Sequence, residues 1–546
     1  VSDYLSCNEE LKPFYSHPVS LGGIQASIKA RQAFTNDRRL LVNELRNQYQ
    51  GIPFSPKQEA YLASLLSENT FTITTAHQPN IFTGPLYFIY KIIHTIKLAD
   101  ELKVQLPEYN FVPVYYMGSE DADLDELGYL VLNQQKITWQ TKQTGAVGRM
   151  KVDKEFIKLI EAIAGQIGIY TYGNELADLF KHCYTEGKSI QQATLELVNA
   201  LFADLGLLIV IPDNAALKQS FHRIIEKELS AQFSHQAVAQ TIKALGKHYK
   251  VQTGGRELNL FYLFEDQRER IELVETNHQP SDTKLQDTRL SIKDAITEGI
   301  MVKNEQAKFM IKRAKINKEW TEQEILEELA AHPERFSANV ILRGVFQETI
   351  LPNIAFIGGG GELAYWLELK QVFNAAQVPY PMLILRNSFL VMQKAQENLL
   401  TKMGFTLNDL FKTQEELLNE LVKKESHHQL NLVHELADLN KLYEQMKTIA
   451  GAIDPTLKNH TAALQKKAFK QLHALEKKMI SAEKRKYDTE KRQITKLKET
   501  LFPNNSLQER VDNFSIPYAQ SGKAWLELIY NASKGLAQQF GIIIIN

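Results

Sequence analysis

The stretch Phe71-Thr72-Ile73-Thr74-Thr75-Ala76-His77-Gln78-Pro79-Asn80-Ile81-Phe82-Thr83-Gly84-Pro85-Leu86-Tyr87 decides the fold. Phe71–Ala76 is apolar or β-branched and too short for a helix, so it reads as a buried strand. A polar loop carrying glycine and proline follows. Thr83 or Gly84 suits a helix cap, and Pro85 suits a first turn, where a missing N–H leaves nothing unpaired. Leu86, Ile89, Ile92, Ile93, Ile96, Ala99 and Leu102 then recur at helical spacing. A second apolar run, Phe111–Tyr116, ends in Ser119-Glu120-Asp121-Ala122-Asp123-Leu124-Asp125-Glu126. Two strand ends thus deliver polar groups to one crevice, the place where open α/β sheets bind ligands.

Outward from this unit the same alternation continues from about 70 to 390. Leu207–Ile211 reads as a strand ending in Pro212-Asp213-Asn214, Asn353–Ile357 leads into Gly358-Gly359-Gly360-Gly361, and Met382–Leu385 is a late strand. Strands alternating with helices argue for an α/β fold with a mostly parallel, doubly wound sheet. Leu258–Phe264 and Arg270–Val274 read as an antiparallel hairpin inserted into it, within a connecting region at about 140–335. From 391 to 510 the pattern changes. Leu432, Leu436, Leu439, Tyr443, Met446, Ala450 and Ile453 follow a 4-3 spacing, Asp454-Pro455 interrupts it, and a second helix carries Leu464, Ala468, Leu472, Leu475, Met479 and Ala482. Two long helices form an antiparallel coiled-coil arm, with a slip in register near Lys486. Residues 511–546 return to globular composition, and Gly541–Asn546 is expected to add a strand to the sheet.

At 546 residues the chain is too long for a single core. Its 63 basic and 64 acidic residues nearly cancel, which gives no global attraction to nucleic acid or an anionic membrane. Cys7 and Cys183 stand far apart in no zinc spacing, so free thiols in a reducing, cytoplasmic setting are expected. Val1–Tyr4 has no signal-peptide core, and Ile542–Ile545 is too short to span a bilayer.

Three clusters carry candidate chemistry. His77, Gln78, Asn80, Thr83 and Gly84 are candidates for substrate contact, with N–H groups near Gly84 offered to an anion at a helix start. Glu120, Asp121 and Asp123 crowd one turn, fit to orient an amine, to act as a general base, or to hold Mg²⁺ through water. The competing reading makes Asp123 a helix cap, with its neighbours complementing the helix dipole. Gly358, Gly359, Gly360 and Gly361, followed by Glu362, let backbone approach a ligand, although their spacing matches no nucleotide fingerprint. Asn339 and Arg343 share a helix face, and Arg343 and Arg386 are forks for carboxylate or phosphate. His427-His428 and the basic run Lys466–Lys498 are solvated surface on the simplest reading.

Taken in order, these segments resemble the bacillithiol biosynthesis BshC family of cysteine ligases. The resemblance rests on His77-Gln78-Pro79-Asn80 with Thr83-Gly84-Pro85-Leu86-Tyr87, on Glu120–Glu126, and on His332-Pro333-Glu334-Arg335-Phe336-Ser337-Ala338-Asn339 running through Arg343 to Gly358–Glu362, Tyr365-Trp366 and Glu368-Leu369-Lys370. It implies a Rossmann-like core related to class I aminoacyl-tRNA synthetases, a coiled coil used for homodimerisation, and addition of cysteine to the amino group of glucosaminyl malate. His77, Glu120 and Asp121 are then the catalytic candidates, with Tyr365 joining the binding residues. No resident metal is implied; ATP or another nucleotide with Mg²⁺ is the expected activator, although no KMSKS-like lysine loop is present. Ala122 stands where some family members carry histidine, and the glycine run replaces a glycine-proline-glycine form. A nucleotidyltransferase acting on another small substrate and a non-catalytic coiled-coil scaffold are the alternatives.

Overall fold

The computed structural model describes residues 1–251, 254–264, 266–274, 308–311 and 318–545. In chain order the strands are β1 (Thr70–His77), β2 (Asn110–Met117), β3 (Tyr129–Leu132), β4 (Gln135–Thr138), β5 (Leu208–Val210), β6 (Leu260–Phe264), β7 (Gln267–Leu273), β8 (Phe309–Ile311), β9 (Lys318–Trp320), β10 (Phe336–Ala338), β11 (Asn353–Gly358), β12 (Met382–Leu385), β13 (Ser388–Gln393) and β14 (Phe540–Ile545). Five of them form a parallel sheet in the order β12-β11-β1-β2-β5. β2 lies on one side of β1 and β11 on the other, so strand order reverses at β1. His77 and Gly358 end the two strands flanking that reversal.

The central strand is buried on both faces, which explains its unbroken apolar and threonine character. Its hydroxyls are satisfied internally: Thr72 and Thr74 donate to Asn353 Oδ1 at 3.2 and 2.8 Å, and Thr75 donates to the Ile357 carbonyl at 2.8 Å. The helix Tyr87–Gln105 covers the sheet with Ile89, Ile92, Ile93, Ile96, Ala99 and Leu102, all fully buried. Each buried isoleucine or leucine among them contributes roughly 2 kcal/mol. The helix starts two residues later than expected, because Pro85 pairs with Asn513 and the Leu86 N–H donates to the Asp512 carbonyl at 2.8 Å.

The expected hairpin is present as β6–β7, but it belongs to a separate antiparallel sheet, ordered β10-β6-β7-β8-β9. Residues 275–307 and 312–317 of the connecting region lie outside the described residues. The chain divides into two compact units, 1–388 with 512–541, and 389–511 with 542–546. The terminal strand does not extend the parallel sheet as expected: β14 pairs with β13 (Asn546 lies outside the described residues).

The second unit has its own core, in which Leu400, Leu410, Leu417, Val422, Ile494 and Leu501 are fully buried. The arm consists of helices Val433–Ile453 and Leu457–Lys484, then a 3₁₀ turn at Arg485–Tyr487 and a helix Asp488–Leu501. The expected slip near Lys486 is that turn. The first two helices run antiparallel, with the Leu432 N–H bonded to Glu476 at 2.8 Å and Gln465 to Asn440 at 2.8 Å. Leu436, Leu439, Tyr443 and Ala450 are half-buried, whereas Met446 and Ile453, expected in the same seam, are exposed.

Candidate functional site

Because the sheet is parallel, β1, β2, β5, β11 and β12 all end at one edge, and each is followed by charged or polar residues. His77 closes β1. Its Nε2 is buried without a hydrogen-bond partner among the described residues, and its ring packs on Tyr87 and Phe88, with centroids 5.3 Å away in both cases. Burial, reinforced by Lys91, Arg343 and Arg386, holds the imidazole well below its ordinary pKa, so it is neutral at pH 7. Gln78 donates to Asp121 at 3.2 Å, which links the two sequence clusters directly.

The next residues serve structure. Phe82, Thr83 and Gly84 have φ values of 49°, 68° and 62°, three successive residues on the left-handed side. A β-branched residue there is strained. Asn513 holds the turn by donating to the carbonyls of Phe82 and Gly84 at 2.9 and 2.6 Å. The Gly84 N–H is bonded to the Ile81 carbonyl at 3.1 Å, so the expected anion-receiving amide at Gly84 is already used. Gly84 is required instead by its backbone and by space, since a Cβ there would lie 2.8 Å from that of Asn80. Asn80 Oδ1 and Thr83 Oγ1 remain buried without partners among the described residues.

The acidic turn after β2 divides its labour. Glu120 is ion-paired with Lys218, a side chain only 2% exposed, and accepts a hydrogen bond from Ser337 of β10 at 3.0 Å. Lys218 also donates to the Glu334 carbonyl at 2.8 Å and lies 3.4 Å from Asp213, which follows β5. Asp213 receives both arms of the Arg149 fork at 2.6 Å each. Asp121 has no ion pair among the described residues; it accepts from Gln78 and adds to the field on Arg343. Asp123 is exposed and caps the helix Leu124–Leu127 by accepting from the Glu126 N–H at 3.1 Å. That is the capping alternative, and it commits one oxygen of Asp123 to the helix start.

On the far side of β1, Gly358 ends β11 where a Cβ would collide with the Phe356 ring at 2.7 Å. Gly359 caps the short helix Gly360–Trp366, whose first turn holds Gly360 and Gly361. Glu362 accepts the Gly359 N–H at 2.8 Å, and its Oε2 lies 2.5 Å from Lys91 Nζ. Lys91 is 2% exposed and also donates to the Ala76 carbonyl at 2.9 Å. Burial lowers its pKa, partly countered by Glu362. Arg386 follows β12; its backbone N–H bonds the Gly358 carbonyl at 2.8 Å, and its guanidinium stacks over Tyr87 at 5.2 Å.

Arg343 reaches the crevice between β1 and β2, where a Cβ on Gly118 would sit 3.5 Å from its Nη1. Burial pulls its pKa down, but Tyr365, Asp121 and Tyr116 outweigh burial and the net shift is upward. Tyr365 shares a hydrogen bond with it. Asn339 is not beside it in function. Its Oδ1 caps the helix Val340–Ile350 through the Ile341 N–H at 2.8 Å, and its amide donates to Asn259 at 2.8 Å. That spends Asn339 on a buried network with Glu228 and Ser234, so the shared helix face does not place it at the site.

Sequence reading missed Lys91, Lys218 and Asn513. Lys91 had a signal, a lone cation amid the apolar positions of its helix. The others are brought in by tertiary contacts alone. Among the described residues no group of three or more His, Cys, Asp or Glu side chains is placed to hold a metal ion, and no helix is long and apolar enough to cross a membrane.

A parallel sheet whose ligand edge mixes buried cations with carboxylates, joined to a second unit of long paired helices, defines a Rossmann-like enzyme carrying a coiled-coil domain. The description "Bacillithiol biosynthesis BshC, N-terminal Rossmann-like domain" matches residues 1–300 and 297–387, and "Bacillithiol biosynthesis BshC, C-terminal coiled-coil domain" matches 389–545. Proteins named "Putative cysteine ligase BshC" from Flavobacterium johnsoniae and Flavobacterium psychrophilum are 38% and 36% identical, covering all of this chain and 97% and 96% of theirs. One from Christiangramia forsetii is 35% identical over all of this chain and 96% of its own. The chain belongs to the bacillithiol biosynthesis BshC family.

Proposed function

We propose that this chain is a cytoplasmic ligase that joins L-cysteine to the amino group of glucosaminyl malate in the last step of bacillithiol biosynthesis. The shared name of its relatives supports the reaction class. The observation that carries the site assignment is the placing of Asp121, neutral His77 and the cations Arg343, Arg386 and Lys91 around one strand reversal.

Amide formation needs an activated cysteine carboxylate, supplied by ATP or another nucleotide accompanied by its own Mg²⁺. Glu120 and Asp123 are already engaged, so the acidic turn does not fit a protein cage for that ion. Lys91 and Arg386, beside the glycine turn, suit the departing phosphate or nucleotide. Asp121 orients the amine. As the nitrogen attacks the acyl carbon, a C–N bond forms, the bond from carbon to the departing oxygen breaks, and Asp121 or His77 takes the nitrogen's proton. Glu120, anchored by Lys218, fixes the turn from which Asp121 projects. Replacing Asp121 by Asn tests this role in cells: bacillithiol should be lost while the protein persists, and normal thiol content would overturn it.

The arm supports a homodimer. Leu442, Met446, Ile449 and Ile453 form an exposed 4-3-4 stripe, with Ile449 66% and Ile453 80% exposed, and Leu464 and Leu475 lie exposed on the neighbouring helix. A second chain packing there would remove that apolar surface from water.

A further inference from the structure

One cation near the acidic turn is unused by the reaction described above. Arg268 lies on β7, in the antiparallel sheet of the connecting region. The same sheet supplies Ser337, which bonds Glu120, so this face of the sheet stands against the turn after β2. Arg268 is half-buried, its guanidinium 3.7 Å from the Phe261 ring centroid, and its buried Nε has no hydrogen-bond partner among the described residues. It feels attraction from Glu120 and Asp121 and repulsion from Arg343.

A buried guanidinium donor left unpaired, in the repulsive field of a second guanidinium, is a costly arrangement. An oxyanion bridging them would remove both penalties. Stacking on Phe261 accounts for where the Arg268 plane lies, but leaves Nε without an acceptor.

We propose that Arg268 and Arg343 together form the subsite for the dicarboxylate end of the amine substrate. This rests on the ligase reading above. The choice of carboxylates over phosphates follows from the neighbours: Asp121 and Glu120 would repel a polyphosphate, whereas a molecule bearing both an amine and carboxylates satisfies the acidic turn and the arginines at once. Lys91 and Arg386 lie on the glycine-turn side of β1 and remain for the nucleotide. Arg268 is thus a specificity-determining contact, carried into the site by the connecting region.

The test compares wild type, Arg268→Met and Arg268→Lys, with binding measured by calorimetry and turnover measured separately. The probes are glucosaminyl malate, L-malate and ATP. Met at 268 keeps an apolar contact with Phe261, and an unchanged melting temperature without ligand confirms folding. Expected is a weakening of glucosaminyl malate and L-malate binding, and a rise in KM for the former, on the order of tenfold to a hundredfold, with ATP binding unchanged and partial recovery in the Lys variant. Wild-type affinity for both carboxylate probes in Arg268→Met would overturn the subsite, and selective loss of ATP binding would reassign Arg268 to the nucleotide. L-Malate binding that depends on Arg268, in a wild-type protein that makes no amide product, would leave the subsite standing and sink the ligase reading.

Discussion

Lys91 Nζ lies 2.5 Å from Glu362 Oε2 and 2.9 Å from the Ala76 carbonyl, so one buried ammonium ties the end of β1 to the glycine turn after β11. These are the two strands at which the sheet order reverses. The side chain that joins these two strand ends is therefore also a buried charge beside the crevice.

Replacing Lys91 by Met leaves Glu362 without its cation and the Ala76 carbonyl without a donor. The expected loss is on the order of 3 kcal/mol of stability, moderated by the partial exposure of Glu362. Urea unfolding measures it. Glu362→Gln, which retains a hydrogen-bond acceptor, should lose less.

Glu120 and Asp121 should respond differently to the same chemical change. Asp121→Asn should keep the wild-type melting temperature and lose roughly 10²-fold or more in kcat, the scale of a missing general base. Glu120→Gln removes one of the two carboxylates beside the buried Lys218, leaving Asp213 at 3.4 Å, and should lower the melting temperature as well. Equal behaviour of the two variants in parallel melting and turnover assays would contradict this division of roles.

The strained turn offers a backbone test. Gly84→Ala places a Cβ against Asn80 at a positive φ, and Asn513→Ala strips the donors from two buried carbonyls. Each should destabilise the protein by about 1–3 kcal/mol, read from denaturant midpoints. Both should also reduce activity, because His77 and Gln78 are continuous with that turn.

His94 makes stability depend on pH. It is fully buried, with Nε2 2.7 Å from the Gly535 carbonyl and Nδ1 accepting the Asn387 N–H at 3.1 Å. This requires the neutral ring with its proton on Nε2. Burial lowers its pKa to about 4, below the ordinary 6.5. The unfolded chain therefore binds the proton first. The contribution is complete above pH 6.5 and declines as pH falls toward 4, with about 2 kcal/mol gone by pH 5. Unfolding curves at pH 7.5 and 5.0 should differ by less in His94→Gln than in wild type.

Ile449→Glu with Ile453→Glu should produce a monomer with an intact Rossmann-like unit. Light scattering at micromolar concentration checks it, and a monomeric wild type would refute the arm as a dimer contact.

The parallel core was legible because β1, β2 and the helix Tyr87–Gln105 each obey a simple periodicity, and the arm was legible from its heptads. The terminal strand was misplaced because Ile542–Ile545 carries no information about which edge it joins. Around the strand reversal, His77 and Asp121 were singled out from strand-end position, and Arg343 and Arg386 from their guanidinium forks. Asn339 was over-read, since helical spacing says which face a residue shares but not that a cap and Asn259 have claimed its amide. Lys218 was invisible, because it reaches Glu120 from an element distant in sequence, in contacts that exist only after folding.

The most direct test is a reaction of the purified chain with L-cysteine, glucosaminyl malate and ATP and Mg²⁺, followed by mass spectrometry. The account predicts a product heavier than glucosaminyl malate by one cysteinyl residue, formed with nucleotide consumption and abolished in Asp121→Asn. Nucleotide transfer to another acceptor, or no amide product with any nucleotide tried in place of ATP, would contradict it.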